Sequence, residues 1–233
     1  EVASKCDIII TCLPSPKVSA EVIEGKAGVL SGIRSGKTWV EMSTSEASEV
    51  KRLGKVFKKL DVTSADCPVS GACHKAETGN ISIFAGCDRS VFDKIKPILF
   101  LLGNQVIHTG ALGSASVLKV TTNYLATTHL LACCEALTTL KAAKIDLGIA
   151  YEAIRISSGN SFVHETESQV ILNGSRDINF TLDLVLKDIT IFQNVAKSNK
   201  VPLEMSPLII KIIKKGIEEL GERANSPSII ERL

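Results

Sequence analysis

Two patterns of apolar positions alternate between residues 1 and 110. Continuously apolar, β-branched runs such as Ile8-Ile9-Ile10 predict buried strands, and apolar residues at helical spacing, such as Leu53, Val56 and Phe57, predict amphipathic helices. The pattern predicts strands at 7–13, 38–42, 62–69, 80–85 and 105–108, and helices at 18–23, 45–60 and 92–102. Regular alternation of strands and helices indicates an α/β fold with a doubly wound parallel sheet, a partial Rossmann domain.

From Ser114 onward the pattern is helical almost to the end of the chain. Its first segment, 114–144, predicts an unusually long helix, and later breaks fall near 146–148, 157–160, 173–174 and 201–202. We therefore place a domain boundary near Gly110. Residues 1–110 would form the Rossmann part, and residues 111–233 an all-helical domain that opens with a long interdomain helix.

Composition excludes several classes of function. The chain has 233 residues, of which 45% are hydrophobic and 22% charged, so we expect a folded globular protein. A net charge of +2 and an aromatic content of 4% give little support for nucleic-acid binding. The apolar run that starts at Pro207 is interrupted by Lys211, so we expect no membrane span.

Cysteines and histidines do not have metal-site spacing. The seven cysteines include no two C-x-x-C pairs, and the four histidines form no H-E-x-x-H motif, so we expect no metal. Most of the cysteines have apolar neighbours in sequence, which is typical of reduced thiols in a core. This usage favours a cytoplasmic protein, with the mitochondrial matrix as the alternative.

Lys119 and Asn123 are the first candidates for chemistry. They lie four residues apart on the predicted long helix, so their side chains project from the same face. The surrounding residues are mostly apolar, and a buried lysine can donate a proton to a developing alkoxide or take one from an alcohol. The alternative is a structural lysine whose stem covers apolar surface while its ammonium reaches solvent.

Four segments occur in a characteristic order along the chain: Thr11-Cys-Leu-Pro14, Asp66-Cys-Pro-Val-Ser-Gly71, the segment from Gly110 to Asn123, and Lys187-Asp188. Their order and spacing resemble the β-hydroxyacid dehydrogenase family, which includes 3-hydroxyisobutyrate dehydrogenases and short semialdehyde and glyoxylate reductases. The resemblance covers essentially the whole chain, and the helical part is similar to the C-terminal domain of 6-phosphogluconate dehydrogenases. The Asp-Met-Gln-Leu-Ile motif of the latter is missing, which argues against 6-phosphogluconate as substrate.

The resemblance implies roles for residues that would contact the substrate. Ser70 and Gly71 would bind the substrate carboxylate through a hydroxyl and backbone N–H groups. Lys119 would be the catalytic acid/base, and Asn123 would fix the substrate. Lys187 would lie near both the substrate and the nicotinamide. The alternatives are a simple tight turn at Ser70-Gly71 and an exposed pair at Lys187-Asp188.

The resemblance also implies NAD or NADP as cofactor, with Leu13, Pro14 and Thr44 on its nicotinamide-ribose side. No G-x-G-x-x-G occurs in the chain, so we expect it to lack the N-terminal glycine-rich part that holds the pyrophosphate. The residue that separates NAD from NADP would lie in that part. The long apolar helices suggest a homodimer or homotetramer.

The implied function is NAD(P)-dependent interconversion of a short β-hydroxyacid and its semialdehyde or ketoacid. Two alternatives remain: a dehydrogenase-like scaffold without catalysis, and an inactive truncated form. The chain departs from the usual family pattern at Ala72 and Lys75, where the family commonly has glycine, and at Ala115. These departures make the identity of the substrate less secure than the type of reaction.

Overall fold

The computed structural model describes the backbone of residues 1–233 and every side chain except that of His74. The chain divides into two compact units, residues 1–120 and residues 121–233, which are described in turn. The boundary between them falls inside one long helix, α6 (Ser114–Ala142). The domain boundary that the sequence places near 110 stays a prediction, as does the homodimer or homotetramer.

The first unit consists of a six-stranded sheet and the helices that connect its strands. Its strands are β1 (Ile8–Thr11), β2 (Thr38–Glu41), β3 (Thr63–Asp66), β4 (Val69–Ser70), β5 (Ser82–Gly86) and β6 (Gln105–Gly110). Its helices are α1 (Val2–Lys5), α2 (Pro16–Glu24), a 3₁₀ turn (Val29–Ser31), α3 (Ala47–Lys58), α4 (Ala72–Glu77) and α5 (Arg89–Leu102), followed by the start of α6. The predicted α/β class is confirmed.

The sheet is mixed rather than parallel throughout. Strands β1, β2 and β3 are parallel, whereas β5 is antiparallel to β3 and β4 and parallel to β6. The reversal occurs across the connection from β4 to β5, which contains α4. Cys67 and Pro68 separate β3 from β4, which agrees with the strand break that Pro68 predicts.

Strand β2 lies at the centre of the core, since all four of its residues are buried. Trp39 packs on one side against Phe57, with ring centroids 4.8 Å apart, and its indole N–H donates to the Thr11 hydroxyl at 2.9 Å. Val40 belongs to a second apolar cluster that includes Ile83. This second cluster also includes Ile95 of α5, so helices cover both faces of the strand.

The second unit is helical. It contains the rest of α6 together with α7 (Leu147–Arg155), α8 (Phe162–Leu172), α9 (Leu182–Ser198), α10 (Met205–Leu220) and a 3₁₀ segment (Ser226–Arg232). Its core includes Leu137, Leu182 and Ile213, and the rings of Tyr124 on α6 and Phe192 on α9 stack with centroids 4.2 Å apart. Among the described residues, no helix is both long enough and apolar enough to cross a membrane.

Apart from the half-buried Cys133, the cysteines are either buried or exposed. Cys67, Cys87 and Cys134 are buried free thiols, and burial raises the pKa of the Cys87 and Cys134 thiols to about 12. These three act as small apolar side chains, as the sequence predicts. Cys6, Cys12 and Cys73 are exposed, so the prediction that the cysteines lie in the core is wrong for these three.

The half-buried Glu167 in the second unit, whose Oε2 is inaccessible to solvent, should make stability depend on pH. Burial raises the pKa of Glu167 on α8 to about 7, and its Oε2 has no hydrogen-bond partner among the described residues. Because the pKa in the folded state lies above that in the unfolded state, the protonated form contributes stability at low pH. That contribution is fully present below pH 4.5 and is lost as the pH rises through about 7.

Replacing Glu167 by Gln should therefore stabilise the protein only at higher pH. At pH 8 we expect the free energy of unfolding in urea to rise by about 2 kcal/mol, because the neutral amide avoids burying a charge. At pH 4.5 the difference should nearly vanish. Glu218→Gln removes an exposed carboxylate from the same unit and should show no such dependence. An equal effect of Glu167→Gln at both pH values would contradict the account.

Candidate active site

Asp66 joins the end of β3 to the start of α6. Its side chain is fully buried, and its carboxylate accepts hydrogen bonds from the Gly113 N–H at 2.7 Å, the Ser116 N–H at 2.7 Å and the Ser116 hydroxyl at 2.8 Å. The first N–H groups of a helix have no partner within the helix, and a negative charge there also complements the helix dipole. Burial raises the pKa of Asp66, while these three hydrogen bonds oppose that rise.

Gly86 makes room for the Asp66 carboxylate. It lies opposite Asp66 in the antiparallel β3–β5 pair, and a Cβ at this position would overlap Asp66 Oδ1. The same Cβ would lie 2.9 Å from Ser114 Oγ and 3.0 Å from the Ala115 backbone nitrogen. The approach of the carboxylate to the helix therefore depends on the missing side chain at Gly86.

Ser70 and Gly71 form the turn that follows β4. Gly71 has φ +128°, and Ala72 has φ +59°, a left-handed conformation that residues with a Cβ rarely adopt. Two successive residues with positive φ make a tight turn before α4. Gly71 and Ala72 therefore form the turn between β4 and the rest of α4, and the left-handed conformation of Ala72 is strained. The role of Ser70 and Gly71 in binding a carboxylate stays a prediction.

Lys119 lies on α6 one turn beyond Ser116, which Asp66 holds. It is 8% exposed, so it is not a solvated surface lysine. Asn123 lies four residues further along α6 and is half-buried. Both belong to one continuous helix, as their spacing predicts, and the burial of Lys119 argues against the alternative that its ammonium extends into solvent.

Asp188 on α9 contacts two of the predicted site residues. Its Oδ2 accepts a hydrogen bond from Asn123 Nδ2 at 2.5 Å, and its Oδ1 lies 3.2 Å from Lys187 Nζ. The Asp188 side chain is only 3% exposed, whereas that of Lys187 is 22% exposed. The second unit therefore brings Asn123 and Lys187 to one carboxylate, and the alternative of an exposed Lys187-Asp188 pair does not hold.

Ser43 connects the loops that follow β1 and β2. Its hydroxyl oxygen accepts a hydrogen bond from the Leu13 N–H at 2.7 Å, and its own N–H donates to Glu41 Oε1 at 2.8 Å. Ser43 and Glu41 are both buried, whereas Pro14 is exposed and Thr44 half-buried. The predicted cofactor residues Leu13, Pro14 and Thr44 thus lie at the carboxyl ends of two adjacent parallel strands, the usual place for ligands in such sheets.

Asp66, Asp188 and Ser43 are the positioning residues that the sequence did not single out for these roles. Asp66 and Asp188 stand inside the recognised motifs, but their hydrogen-bond partners lie 50 and 65 residues away along the chain. The sequence signal that could have identified such a residue is a carboxylate in an otherwise apolar segment, because a buried charge requires partners.

Two family models divide the chain between them. Residues 1–110 match the NAD binding domain of 6-phosphogluconate dehydrogenase, and residues 113–233 match the model described as NAD-binding of NADP-dependent 3-hydroxyisobutyrate dehydrogenase. The second match alone covers more than half of the chain. The chain belongs to the β-hydroxyacid dehydrogenase family. This assignment confirms the resemblance seen in the sequence, and it confirms NAD or NADP as the cofactor class of the domain family that residues 1–110 match.

Curated relatives in the family are named as dehydrogenases. The 2-(hydroxymethyl)glutarate dehydrogenase of Eubacterium barkeri is 31% identical over 217 residues, which cover 93% of this chain and 72% of the relative. The mitochondrial 3-hydroxyisobutyrate dehydrogenase of mouse is 29% identical over 92% of this chain, which spans 66% of the relative. These names do not favour the alternative of a non-catalytic scaffold.

Solved structures in the family share the fold. The 3-hydroxyisobutyrate dehydrogenase of Salmonella typhimurium has a TM-score of 0.90 at 22% identity, over 99% of this chain and 81% of that one. The enzyme of the same name from Mycobacterium tuberculosis has a TM-score of 0.87 at 20% identity, over 99% and 80%.

Replacing Gly86 by Ala should weaken the contact between Asp66 and α6. The added methyl group overlaps the carboxylate, and overpacking of this kind typically costs about 1–3 kcal/mol in the free energy of unfolding. Chemical denaturation of the purified chain measures the loss. Gly159→Ala is the matched control, because its Cβ would lie at an ordinary 3.4 Å from the nearest atom, Ser157 Oγ. Equal stability of the Gly86→Ala chain and the original chain would show that the contact is less tight than described.

Proposed function

We propose that the chain catalyses reversible hydride transfer between NAD or NADP and a short β-hydroxyacid, with Lys119 as general acid/base. The observation that carries this proposal is the burial of Lys119 one turn beyond a helix start that the Asp66 carboxylate fixes. A lysine held on a rigid helix can present its proton at a defined place, which is what proton transfer to a reacting oxygen requires.

Lys119 handles the proton of the reacting hydroxyl group. In the direction of reduction, its ammonium donates a proton to the carbonyl oxygen of the semialdehyde or ketoacid as that oxygen gains negative charge. In the direction of oxidation, the neutral amine takes the proton from the hydroxyl group. NAD or NADP, when bound, supplies or accepts the hydride.

Ser70 and Gly71 bind the carboxylate of the substrate in this proposal. Both residues are half-buried, and successive backbone N–H groups in a turn with positive φ, as at Gly71 and Ala72, favour an anion. Asn123 and Lys187 contact the substrate as well, and Asp188 orients both of them before any substrate binds. This preorganisation reduces the number of side chains that must become ordered on binding.

The loops after β1 and β2 fit the nicotinamide-ribose half of a dinucleotide. The Ser43 hydroxyl fixes the backbone of Leu13, which leaves Leu13 and Pro14 to form an apolar wall. The Thr44 side chain offers a hydroxyl that can bond to a ribose. The hydrogen bond from Leu13 to Ser43 joins the two loops within the first unit, and Glu41 fixes Ser43 by accepting from its N–H.

The proposed class of substrate is supported by the names of two relatives. The substrates named for the enzymes of Eubacterium barkeri and mouse are both acids with a hydroxyl group on the carbon β to a carboxylate. This shared group is the one that the proposed Lys119 chemistry needs.

The direct test is hydride transfer followed by nicotinamide absorbance, with NADH and NADPH and a panel of short semialdehydes and β-hydroxyacids. Lys119→Ala should lower turnover by about 10²–10⁴-fold, because it removes the proton donor. Lys141→Ala is the matched control, since it removes an exposed lysine from the last turn of the same helix. Turnover that survives in Lys119→Ala, or its absence for every pair with the unmodified chain, would contradict the proposal.

A further inference from the structure

The exposed face of α6 in the second unit carries almost no charge. Between residues 114 and 140 the sequence contains no Asp, Glu, Lys or Arg other than Lys119 and Glu135. A helix in contact with water normally has a charged face, and a helix that is apolar on all sides is normally covered on all sides. Between residues 121 and 140, however, five residues of α6 are exposed: Leu125, His129, Ala132, Glu135 and Thr139. This face therefore has the composition of a contact surface.

The spacing of these residues is that of a contact between two helices. Four of the exposed residues and the half-buried Ala136 follow one another at intervals of four, three, four and three positions. A repeat of about 3.5 residues keeps one row of side chains facing a second helix along its length. We call this row the α6 seam; it consists of Leu125, His129, Ala132, Ala136 and Thr139.

The sizes of the side chains make the α6 seam complementary to itself in the antiparallel direction. Two large residues, Leu125 and His129, are followed by two small ones, Ala132 and Ala136. If two copies pack antiparallel about a point between residues 130 and 131, Leu125 of each copy faces Ala136 of the other, and His129 faces Ala132. Every large side chain then meets a small one, which allows close packing without voids. Parallel packing would place each residue against its own copy and leave a void between the alanines.

Charge favours the same direction. Glu135 lies beside the second half of the α6 seam, and His129 lies in the first half. Antiparallel packing brings the half with the carboxylate against the half with the imidazole, whose N–H group can donate a hydrogen bond. Parallel packing would bring the two Glu135 carboxylates to the same level, and like charges across an interface are unfavourable.

We infer that the α6 seam is the interface between two copies of this chain, which pack antiparallel about a two-fold axis near residues 130 and 131. Such a contact is closed, because both copies use the same surface and leave no second copy of it free. It covers Leu125, which is 48% exposed in the single chain. The inference does not depend on the proposed function, since none of the seam residues takes part in the proposed chemistry.

Sedimentation velocity tests whether the α6 seam holds two copies together. At micromolar concentration the full chain should sediment with about twice its mass of 24.9 kDa. Ala132→Arg should raise the dissociation constant of the dimer about 100-fold or more, because it places an unpaired charge in the contact. Ser198→Arg adds the same charge at an exposed position at the end of α9 and should leave the constant unchanged. A monomeric original chain, or a dimer that Ala132→Arg does not weaken, would overturn the inference.

Disulfide formation tests the direction of packing without disturbing the contact. The parent chain for this experiment has Ser in place of the three exposed cysteines, Cys6, Cys12 and Cys73. With oxidised glutathione, a chain that carries both Leu125→Cys and Ala136→Cys should form covalent dimers.

Neither single variant should do so, because the two copies of either residue lie about 16 Å apart along antiparallel helices. The parent chain measures the background from the remaining cysteines. Dimers of the Leu125→Cys variant alone would show parallel packing, and the absence of covalent dimers in the double variant would show that the seam is not the interface; either result would overturn the inference.

Discussion

The hydrogen bonds of the Asp66 carboxylate fix the start of α6, the helix that carries the proposed acid/base Lys119. A fully buried carboxylate is stable only with several partners, and here all three come from the first turn of α6 and the residue before it. The same residue ends β3, four positions before Ser70. One side chain therefore fixes the helix that carries Lys119 to the strand that leads towards Ser70 and Gly71, the proposed carboxylate site.

The same principle recurs at the other parts of the proposed site. Asp188 holds Asn123 and Lys187 in the second unit, and Ser43 with Glu41 holds the loops after β1 and β2 in the first. In each case a buried polar residue orients exposed or half-buried neighbours that would contact the ligand. Such support keeps these side chains in place without the ligand, at the cost of burying polar groups.

Much of this arrangement could be predicted from the sequence, because the relevant signals are local. The apolar runs locate the strands, the spacing of Lys119 and Asn123 places both on one helix, and Pro68 predicts the break between β3 and β4. The mixed direction of the sheet could not be predicted in the same way, because an apolar run is the same for a parallel and an antiparallel strand. The reversal occurs across the connection through α4.

Local sequence patterns could not identify the positioning residues, because their partners are distant along the chain. Asp66 and Ser116 are 50 residues apart, and Leu13 and Ser43 are 30 residues apart. Nothing in either segment specifies its partner, so only the folded chain shows which polar groups meet. The strain at Ala72 can be recognised only from the backbone conformation. The resemblance to the family, which implies glycine at this position, is the one indication in the sequence.

Amide hydrogen exchange tests the central interaction most directly. Asp66→Asn keeps the shape of the side chain but removes its charge and one of its acceptors, whereas Asp146→Asn makes the same change at the cap of α7, where Asp146 accepts a hydrogen bond from the Ile149 N–H. If Asp66 holds the start of α6, exchange between residues 113 and 119 should accelerate about tenfold or more in Asp66→Asn, since hydrogen bonds to charged groups are lost there. In Asp146→Asn that segment should be unchanged. Unaltered exchange between 113 and 119 in Asp66→Asn would contradict the account.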